Sequence, residues 1–358
     1  MGKYSSSPLW SSLTPIPLDD GAKYYAQGSG SGEDGDETYP LATITYTEDY
    51  AEATAYLRGV MAANEMSERA LELTADVIML NPAHYTVWLY RAKIIQALKK
   101  DLREEIAWLN KISLKHLKNY QIWHHRQLIM SDRETFPDLP ESEQDFLGQM
   151  FSLDSKNYHV WTYRHWLVRH FALWDCPREL SDVENLIDSD VRNNSAWNHR
   201  WVLKFGPRGD KFDSGMPNPT DQSGNRGRLE IADEDIVDTE IEYAKSKIVL
   251  APENRSPWAY VRGVLHAAGR PMAELKTFAS RFVVEEVQDG DTIDYQVKSS
   301  LAMEWLADTF AEEAKEGCRT ETAKCKIEAV KMLTLLKEKY DPIRKNYWDY
   351  RIHMIKNH

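Results

Sequence analysis

A tryptophan followed three residues later by an arginine recurs along this chain at a nearly constant interval. Successive tryptophans are 35, 38 and 36 residues apart over the first four copies. A fixed period of this length is typical of a solenoid, in which each unit packs against its neighbours and the units share a continuous core. The pairs are Trp88 with Arg91, Trp123 with Arg126, Trp161 with Arg164, Trp197 with Arg200 and Trp348 with Arg351, and Trp258 with Arg262 is one residue longer.

The spacing of apolar residues predicts two antiparallel helices in each unit. In the first unit Leu71, Ala75 and Ile78 recur at helical spacing before the turn signal Asn81-Pro82. The second helix carries the tryptophan and the arginine, which lie on one face because they are three residues apart. Both residue types suit the packing of one helix pair on the next, since tryptophan buries a large area and arginine offers five donors to loop carbonyls. We therefore predict a structural role for these pairs.

Two longer intervals modify the repeat. The 61-residue interval after Trp197 contains a stretch rich in Gly, Pro, Asp and Ser, which predicts an inserted loop at 206–228. The final 90-residue interval leaves room for a degenerate unit over 272–310, with Tyr295 near the expected tryptophan position. We predict an all-α, right-handed superhelical solenoid of about seven stacked antiparallel helix pairs over 46–358. Residues 1–45 are predicted to be an N-terminal extension with a flexible acidic Gly/Ser linker at 28–38.

Composition excludes several classes of function. The formal charge of −12 repels nucleic acid, so we expect no nucleic-acid partner. No apolar stretch approaches the roughly 20 residues that a membrane-spanning helix needs. The N-terminus has no secretory signal, and Cys176, Cys318 and Cys325 have neither disulfide-framework nor metal-ligand spacing. We expect a cytoplasmic protein without a metal site of its own.

The residues just before each tryptophan carry a second pattern. They include asparagines, which favour helix N-caps, and basic residues. A cation at a helix start opposes the helix dipole at a cost of roughly 0.3–1 kcal/mol, so its recurrence indicates that an anion approaches there. The alternative is that these cations pair with the chain's own surplus of Asp and Glu. The segments are Lys118-Asn119-Tyr120, Lys156-Asn157-Tyr158, Arg192-Asn193-Asn194 and Asn254-Arg255.

These repeats resemble those of the protein prenyltransferase alpha subunits, which have the form Asn-Tyr-x-x-Trp-x-x-Arg. The second and third repeats match it at Asn119-Tyr120 with Trp123 and Arg126, and at Asn157-Tyr158 with Trp161 and Arg164. The segments 10–21 with Thr14-Pro15-Ile16-Pro17, 65–74 and 81–91 resemble the alpha subunit shared by farnesyltransferase and type I geranylgeranyltransferase. The similarity extends over nearly the whole chain.

The resemblance implies a crescent that wraps a separate beta subunit and is inactive alone. Zinc would be bound by that beta partner and not by this chain, and magnesium would assist farnesyl transfer. The substrates implied are a prenyl diphosphate and CaaX-terminated proteins such as small GTPases, whose cysteine thiolate receives farnesyl or, with a second beta partner, geranylgeranyl. Lys156 is similar in position to the family lysine that reaches the diphosphate, and Tyr158 to the tyrosine near the reacting carbon. Arg192 and Asn193 border the same site, and Lys118 serves as a comparison.

Two other functions stay open at this point. The first is a peptide-binding scaffold of the tetratricopeptide kind, which has a similar period but a different consensus. The second is the related alpha subunit that acts on Rab proteins, which often carries extra domains that 358 residues cannot hold.

Overall fold

A computed structural model describes residues 2–18, 44–206, 234–288, 292–316 and 319–357. Within them the chain forms fifteen α-helices and a single two-stranded sheet, which confirms the predicted all-α repeat fold. The predicted linker at 28–38, and the predicted insertion at 206–228 apart from Gly206, lie outside these residues. The helices are α1 (Glu48–Ala62), α2 (Glu68–Leu80), α3 (Tyr85–Leu98), α4 (Leu102–Lys115), α5 (Tyr120–Met130), α6 (Glu141–Leu153), α7 (Tyr158–His170), α8 (Pro177–Ser189), α9 (Asn194–Phe205), α10 (Glu234–Leu250), α11 (Arg255–Ala268), α12 (Lys276–Ser280), α13 (Ser300–Glu316), α14 (Arg319–Leu335) and α15 (Lys345–Asn357).

Each repeat is a pair of helices joined by a loop of four residues. The pairs are α2 with α3, α4 with α5, α6 with α7, α8 with α9, and α10 with α11. So short a connection brings the two helices side by side and antiparallel. The chain divides into two compact units, the first ending at Trp166 and the second beginning at Leu167.

The first residues of the chain belong to the core of the first unit. The ring of Trp10 lies 5.5 Å from the rings of both Tyr4 and Tyr56, and the Arg69 guanidinium lies 4.9 Å from the Trp10 ring. The Tyr4 hydroxyl donates a hydrogen bond to Asp76 at 2.6 Å. Burial of the Tyr4 ring and this nearby carboxylate raise the pKa of Tyr4. The N-terminal segment therefore packs on α1 and α2.

Arg91, Arg126 and Arg200 each bind a buried glutamate from the next helix pair. Arg126 donates from Nε and Nη2 to the two oxygens of Glu143 at 2.6 and 2.5 Å, and both side chains are enclosed. Arg91 donates two hydrogen bonds to Glu105 in the same bidentate geometry, at 2.8 and 2.6 Å. Such a fork-to-carboxylate pair fixes both distance and orientation. The repeats are thus joined by buried ion pairs as well as by apolar area.

The fourth repeat keeps this arrangement across the insertion. Arg200 donates to Glu240 at 2.6 and 2.9 Å although 40 residues separate them. In four repeats the buried glutamate also binds a histidine or tyrosine side chain from the following helix. This histidine or tyrosine lies 20 residues after the glutamate in each case. The insertion therefore leaves the register of the repeats unchanged. These contacts are His125 with Glu105 at 2.9 Å, Tyr163 with Glu143 at 2.8 Å, His199 with Glu179 at 2.7 Å and Tyr260 with Glu240 at 2.7 Å.

The environment of Glu105 shows how the pairing offsets burial. Burial acts to raise its pKa, but hydrogen bonds from His125 and Arg91 and their charges hold the pKa below its ordinary value. A carboxylate with a lowered folded-state pKa stabilises the fold above its unfolded pKa, and the stabilisation is lost as the pH falls through the folded value. This pair therefore supports the fold at neutral pH and weakens under acid.

The tryptophans fill the space beneath these pairs and also bond the loops. Most of their indole N–H groups donate to the carbonyl six residues earlier, as from Trp161 to Ser155 and from Trp197 to Val191, both at 2.9 Å. The ring of Trp123 is buried, but its N–H has no acceptor in the described part of the chain. The predicted bonds to loop carbonyls are thus made mainly by tryptophan, while arginine binds chiefly carboxylate. All the motif tryptophans are buried, namely Trp88, Trp123, Trp161, Trp197, Trp258 and Trp348, as are Arg91, Arg126, Arg164 and Arg200.

The degenerate sixth unit departs from its predicted form. Tyr295 lies on a strand, because β1 (Val283–Gln288) and β2 (Thr292–Val297) pair antiparallel. Trp305 on α13 takes the packing position, with its ring 5.5 Å from that of Trp258 and its N–H bonded to the Met272 carbonyl at 3.2 Å. Three residues further on, Asp308 stands where arginine is usual.

Asp308 reverses the charge pattern of the repeat. Arg262 from α11 binds it at 2.6 Å, and Arg351 from α15 binds it from the other side. A carboxylate thus stands in place of the usual arginine, and two arginines stand in place of the usual glutamate. The last helices are thus also joined by ion pairs, but the acidic and basic residues have exchanged positions.

The asparagines that precede the second helices are N-caps, and some also join repeats. The Asn119 and Asn157 Oδ1 atoms accept from backbone N–H groups of their own helices at 3.1 and 3.0 Å. In addition, the Asn157 amide donates to the Leu117 carbonyl in the preceding loop at 2.8 Å, and Asn254 donates likewise to Val191 at 2.7 Å. These side chains fix the helix starts and the spacing between neighbouring loops.

Substitution of Glu143 by glutamine tests the buried ion pairs. We expect Glu143→Gln to lower the free energy of unfolding by about 3–5 kcal/mol, because the enclosed Arg126 then lacks its charged partner. The matched control is Glu242→Gln, which removes an ion pair with Lys245. The Glu242 side chain is 70% exposed. That change is expected to cost less than about 1 kcal/mol. Urea unfolding followed by tryptophan fluorescence gives both values, and equal costs would contradict the role of the buried pairs.

Substitution of the capping asparagines separates the cap from the bond between repeats. Asn119 makes only the cap within the described residues, whereas Asn157 makes both contacts. We expect Asn119→Ala to cost about 1 kcal/mol of unfolding free energy. Asn157→Ala should cost about 1 kcal/mol more, since it also removes the bond to Leu117. Indistinguishable unfolding curves for the two variants would show that the bond between repeats contributes nothing.

Candidate functional site at the helix starts

Lys156 and Tyr158 lie at the start of α7 in the first unit. The Lys156 backbone N–H donates to the Asp154 side chain at 3.1 Å, which shapes the loop, and Asn157 then caps the helix. The ammonium side chain of Lys156 is exposed, and the Tyr158 side chain is 65% exposed. The loop therefore presents a cation and a phenol to the outside at a rigid helix start.

A histidine that follows Tyr158 links this helix start to the preceding one. The His159 ring lies edge-to-face against Tyr120, with 4.2 Å between the ring centroids, and 5.7 Å from the Tyr158 ring. Partial burial and the nearby Lys118 charge lower the pKa of His159, which keeps the imidazole neutral at neutral pH. A neutral imidazole can donate one hydrogen bond and accept another. The starts of α5 and α7 thus form one continuous polar and aromatic surface, which we call the helix-start cluster: Lys118, Tyr120, Lys156, Tyr158 and His159.

Lys118 belongs to this cluster, although the sequence predicted it only as a comparison. Its side chain is 76% exposed, and its ammonium lies 3.5 Å from the Asp154 carboxylate. An exposed pair of this kind contributes between nothing and about 1 kcal/mol, so it leaves the lysine available to a stronger anion. His159 was missed altogether. In the sequence, the one sign of His159 is its position next to Tyr158. That position becomes informative only when the structure shows that Tyr120 contacts His159.

Arg192 and Asn193 occupy the equivalent positions at the start of α9 in the second unit. Asp190 accepts from the Arg192 backbone N–H at 2.9 Å, as Asp154 does from Lys156. The Arg192 side chain is exposed and makes no ion pair among the described residues. Asn193 is wholly enclosed and caps α9 through the Ala196 N–H at 3.3 Å. In this structure Asn193 supports the loop that presents Arg192, and its own side chain is not presented to a ligand.

The pattern of cations ends in the fifth repeat. Counted back from Trp258, Glu253 stands at the position of Lys156, and Arg255 at that of Tyr158. Glu253 accepts from the Ser300 N–H at 2.6 Å and from its hydroxyl at 2.9 Å, so it caps α13. Arg255 lies 3.4 Å from Glu304. The prediction that groups Arg255 with the other basic helix starts is therefore wrong in register, and here pairing with an acid explains the cation.

The described part of the chain has neither a metal-binding cluster nor a membrane-spanning helix. No group of three or more His, Cys, Asp or Glu side chains in it is arranged to hold a metal ion. No helix in it combines the length and the apolar character required to cross a membrane.

Comparison with known proteins agrees with this geometry. The model of the protein prenyltransferase alpha subunit repeat matches residues 67–98, 102–132, 140–171 and 176–204. A protein farnesyltransferase/geranylgeranyltransferase type-1 subunit alpha from Candida albicans is 37% identical over 318 residues, which span 87% of this chain and 91% of the relative. A bovine geranylgeranyl transferase type-2 subunit alpha is 30% identical over 61% of this chain, but over only 37% of its own length.

A solved structure gives the same result in three dimensions. The alpha-type chain of Candida albicans protein geranylgeranyltransferase-I, solved in complex with GGPP, superposes with a TM-score of 0.75 and 34% identity. The match covers 98% of this chain and 99% of the other. The paired helices, the buried arginines and tryptophans, and these similarities all agree: the chain belongs to the family of protein prenyltransferase alpha subunits, and within it to the type shared by farnesyltransferase and type I geranylgeranyltransferase.

Proposed function

We propose that this chain works in the cytoplasm as the alpha subunit of a heterodimer that attaches a prenyl group to proteins. With one beta partner the group is farnesyl, and with a second it is geranylgeranyl. The acceptor is a cysteine near the C-terminus of CaaX-terminated proteins such as small GTPases. The observation that carries the proposal is the helix-start cluster, which offers exposed cations and phenols on repeats of the prenyltransferase alpha type.

In this reaction the proposed role of the chain is to stabilise charge and not to transfer a proton. A bond forms between the cysteine sulfur and C1 of the prenyl group while the bond from C1 to the diphosphate oxygen breaks. Negative charge grows on the departing diphosphate. Preorganised donors aimed at developing charge lower a barrier without reorganising during the step. Cations fixed at helix starts are suited to that task, since the backbone N–H groups there also favour an anion.

Each residue of the cluster has a separate proposed part. Lys156 binds the diphosphate as a mobile point charge, and Lys118 does so from the neighbouring helix start. Tyr158 lies next to the reacting carbon and donates its hydroxyl toward the leaving oxygen. His159 is neutral and orders the two tyrosine rings beside it. Arg192, whose loop Asn193 supports, is assigned to the diphosphate only on the basis of the family resemblance.

The family implies two metal ions that are not bound by this chain alone. Zinc held by the beta partner would favour the thiolate of the acceptor cysteine at neutral pH, and magnesium would offset part of the diphosphate charge in farnesyl transfer. The residues described here fit that division, because the cluster offers cations and hydroxyls instead of carboxylate or thiolate ligands. What this chain contributes is therefore binding and orientation of the diphosphate.

Substitution of the two lysines tests the proposed diphosphate contacts. We expect Lys156→Ala to lower the single-turnover rate of the heterodimer at least about tenfold, which is about 1.4 kcal/mol, with little loss of assembly. Lys118→Ala should give a reduction of similar size, because its ammonium lies at the same cluster. The control is Lys100→Ala, which removes only a surface pair with Glu68. Unchanged rates in both cluster variants would refute this assignment, and a loss in one alone would identify the lysine that contacts the diphosphate.

Removal of the Tyr158 hydroxyl tests its placement near the reacting carbon. Tyr158→Phe keeps the ring contact with His159 but removes the donor, so we expect the rate of the chemical step to fall about three- to tenfold while KM for the prenyl diphosphate changes little. Tyr85→Phe is the matched control, because Tyr85 begins α3 and is also 65% exposed. A pre-steady-state measurement on the heterodimer separates the chemical step from product release. Equal effects of the two substitutions would argue against a special role for Tyr158.

A further inference from the structure

A cavity of about 660 Å³ lies among the last three helices of the second unit. Small-molecule sites typically have volumes of roughly 300–1,000 Å³, so this one is of suitable size. It lies beyond the last matched repeat, which ends at residue 204, and its walls come from α13, α14 and α15. The described residues that line it are Ala311, Ala314, Lys315, Thr322, Lys326, Arg351, Met354 and Ile355.

The cavity wall combines cationic and apolar side chains, which indicates the chemistry of a suitable ligand. Three of the lining residues are cations, and no acidic residue is found among the described ones. Four are apolar, from α13 and from the end of α15. This is the reverse of the chain as a whole, whose formal charge is −12. A local excess of positive charge beside an apolar wall is suited to an anion that carries an apolar body.

The lysines of this cavity differ from those of a neighbouring one. Lys315 and Lys326 make no ion pair in the part of the chain that the structure describes. In a second cavity of about 420 Å³, Lys276 binds Glu313 at 2.8 Å, and Glu321 and Glu328 also line the wall. There the positive charge is neutralised by the protein itself. Of these two cavities, the first is the one whose described lining has cations and no acidic residue.

Arg351 gives the cavity a fixed donor. It is the arginine of the Trp-x-x-Arg pair on α15, and no glutamate binds it among the described residues. Instead Nη2 binds Asp308, and Nη1 donates to the Tyr347 hydroxyl at 3.0 Å. Since a guanidinium has five donor hydrogens, these contacts hold the group in place and leave donors for a ligand. Arg351 is thus partly exposed, with 21% of its side chain accessible.

We propose that this cavity binds a small amphipathic anion, in which a phosphate or carboxylate head is attached to a linear apolar chain. The head lies against Lys315, Lys326 and Arg351, and the apolar chain covers Met354 and Ile355. Such ligands come from two sources, namely alkyl or prenyl phosphates and fatty acids. The described lining comes from the C-terminal helices and shares no residue with the helix-start cluster, so the proposal does not depend on the function proposed above.

Calorimetric titration of the heterodimer tests this proposal. The transfer site is first saturated with prenyl diphosphate, and the complex is then titrated with dodecyl phosphate or with dodecanoate. We expect saturable binding of at least one of them, and the tighter of the two identifies the source of the natural ligand. Inorganic phosphate and dodecanol, which carry the head and the chain separately, should each bind at least about tenfold more weakly. Equal binding of inorganic phosphate and dodecyl phosphate, or no saturable binding of either amphiphile, would overturn the proposal.

Surface substitutions locate the ligand. The double variant Lys315→Ala/Lys326→Ala, and separately Met354→Asp, should each weaken binding at least about tenfold, since one removes the cations and the other places a negative charge in the apolar wall. Lys324→Ala, in the neutralised second cavity, should change the affinity by less than about twofold. Unchanged affinity in the first two variants, or an equal loss in the control, would place the ligand elsewhere. Prenyl transfer by the same variants is a separate readout and should stay at the wild-type rate.

Discussion

The pairing of a buried arginine with a buried glutamate from the next helix pair is the interaction on which the repeats depend. Neither charge could be enclosed alone, because an unpaired buried ion costs several kcal/mol. Together they form two parallel hydrogen bonds with one geometry, as Arg126 and Glu143 do at 2.6 and 2.5 Å. Apolar packing around the tryptophans tolerates small slips, whereas a bidentate pair does not. The ion pairs therefore set the register in which one repeat is laid on the next.

That register is what makes the helix-start cluster possible. Because each repeat is placed on its predecessor by the same contacts, residues at equivalent positions of neighbouring repeats come side by side. Tyr120 in one repeat lies against His159 in the next, and the Lys118 charge reaches the same imidazole. The Asn157 side chain caps its helix and bonds the preceding loop, so the two helix starts are tied directly. A structural repeat thus creates a surface whose residues are far apart along the chain, and the residues proposed to contact the diphosphate lie on that surface.

The last third of the chain shows how the same physical rule permits variation. Asp308 takes the place of an arginine, and Arg262 and Arg351 then bind it from two sides. A hairpin interrupts the helices, and Trp305 takes the packing position beside Trp258. Charge balance in the interior is preserved, although the residue types are exchanged. On α15, Arg351 binds an aspartate where the regular repeats have a glutamate, and the same arginine lines the cavity of the proposed anion site.

The sequence by itself determined the repeat, the paired helices, the packing role of tryptophan and arginine, and the family, because each depends on local spacing that is visible in the chain. Asparagine caps were also predictable, since a cap involves only the residues next to it. The sequence did not reveal that Glu105, Glu143 and Glu240 are buried partners, because an isolated glutamate on a helix resembles any solvated one. It pointed to Tyr295 where Trp305 packs, and it placed Arg255 in the wrong register, since both errors arise from counting along an interrupted period. Only the tertiary structure decided that Lys118 and His159 join Tyr158, and that Asn193 faces inward, because contacts between repeats depend on how one helix pair lies on the next.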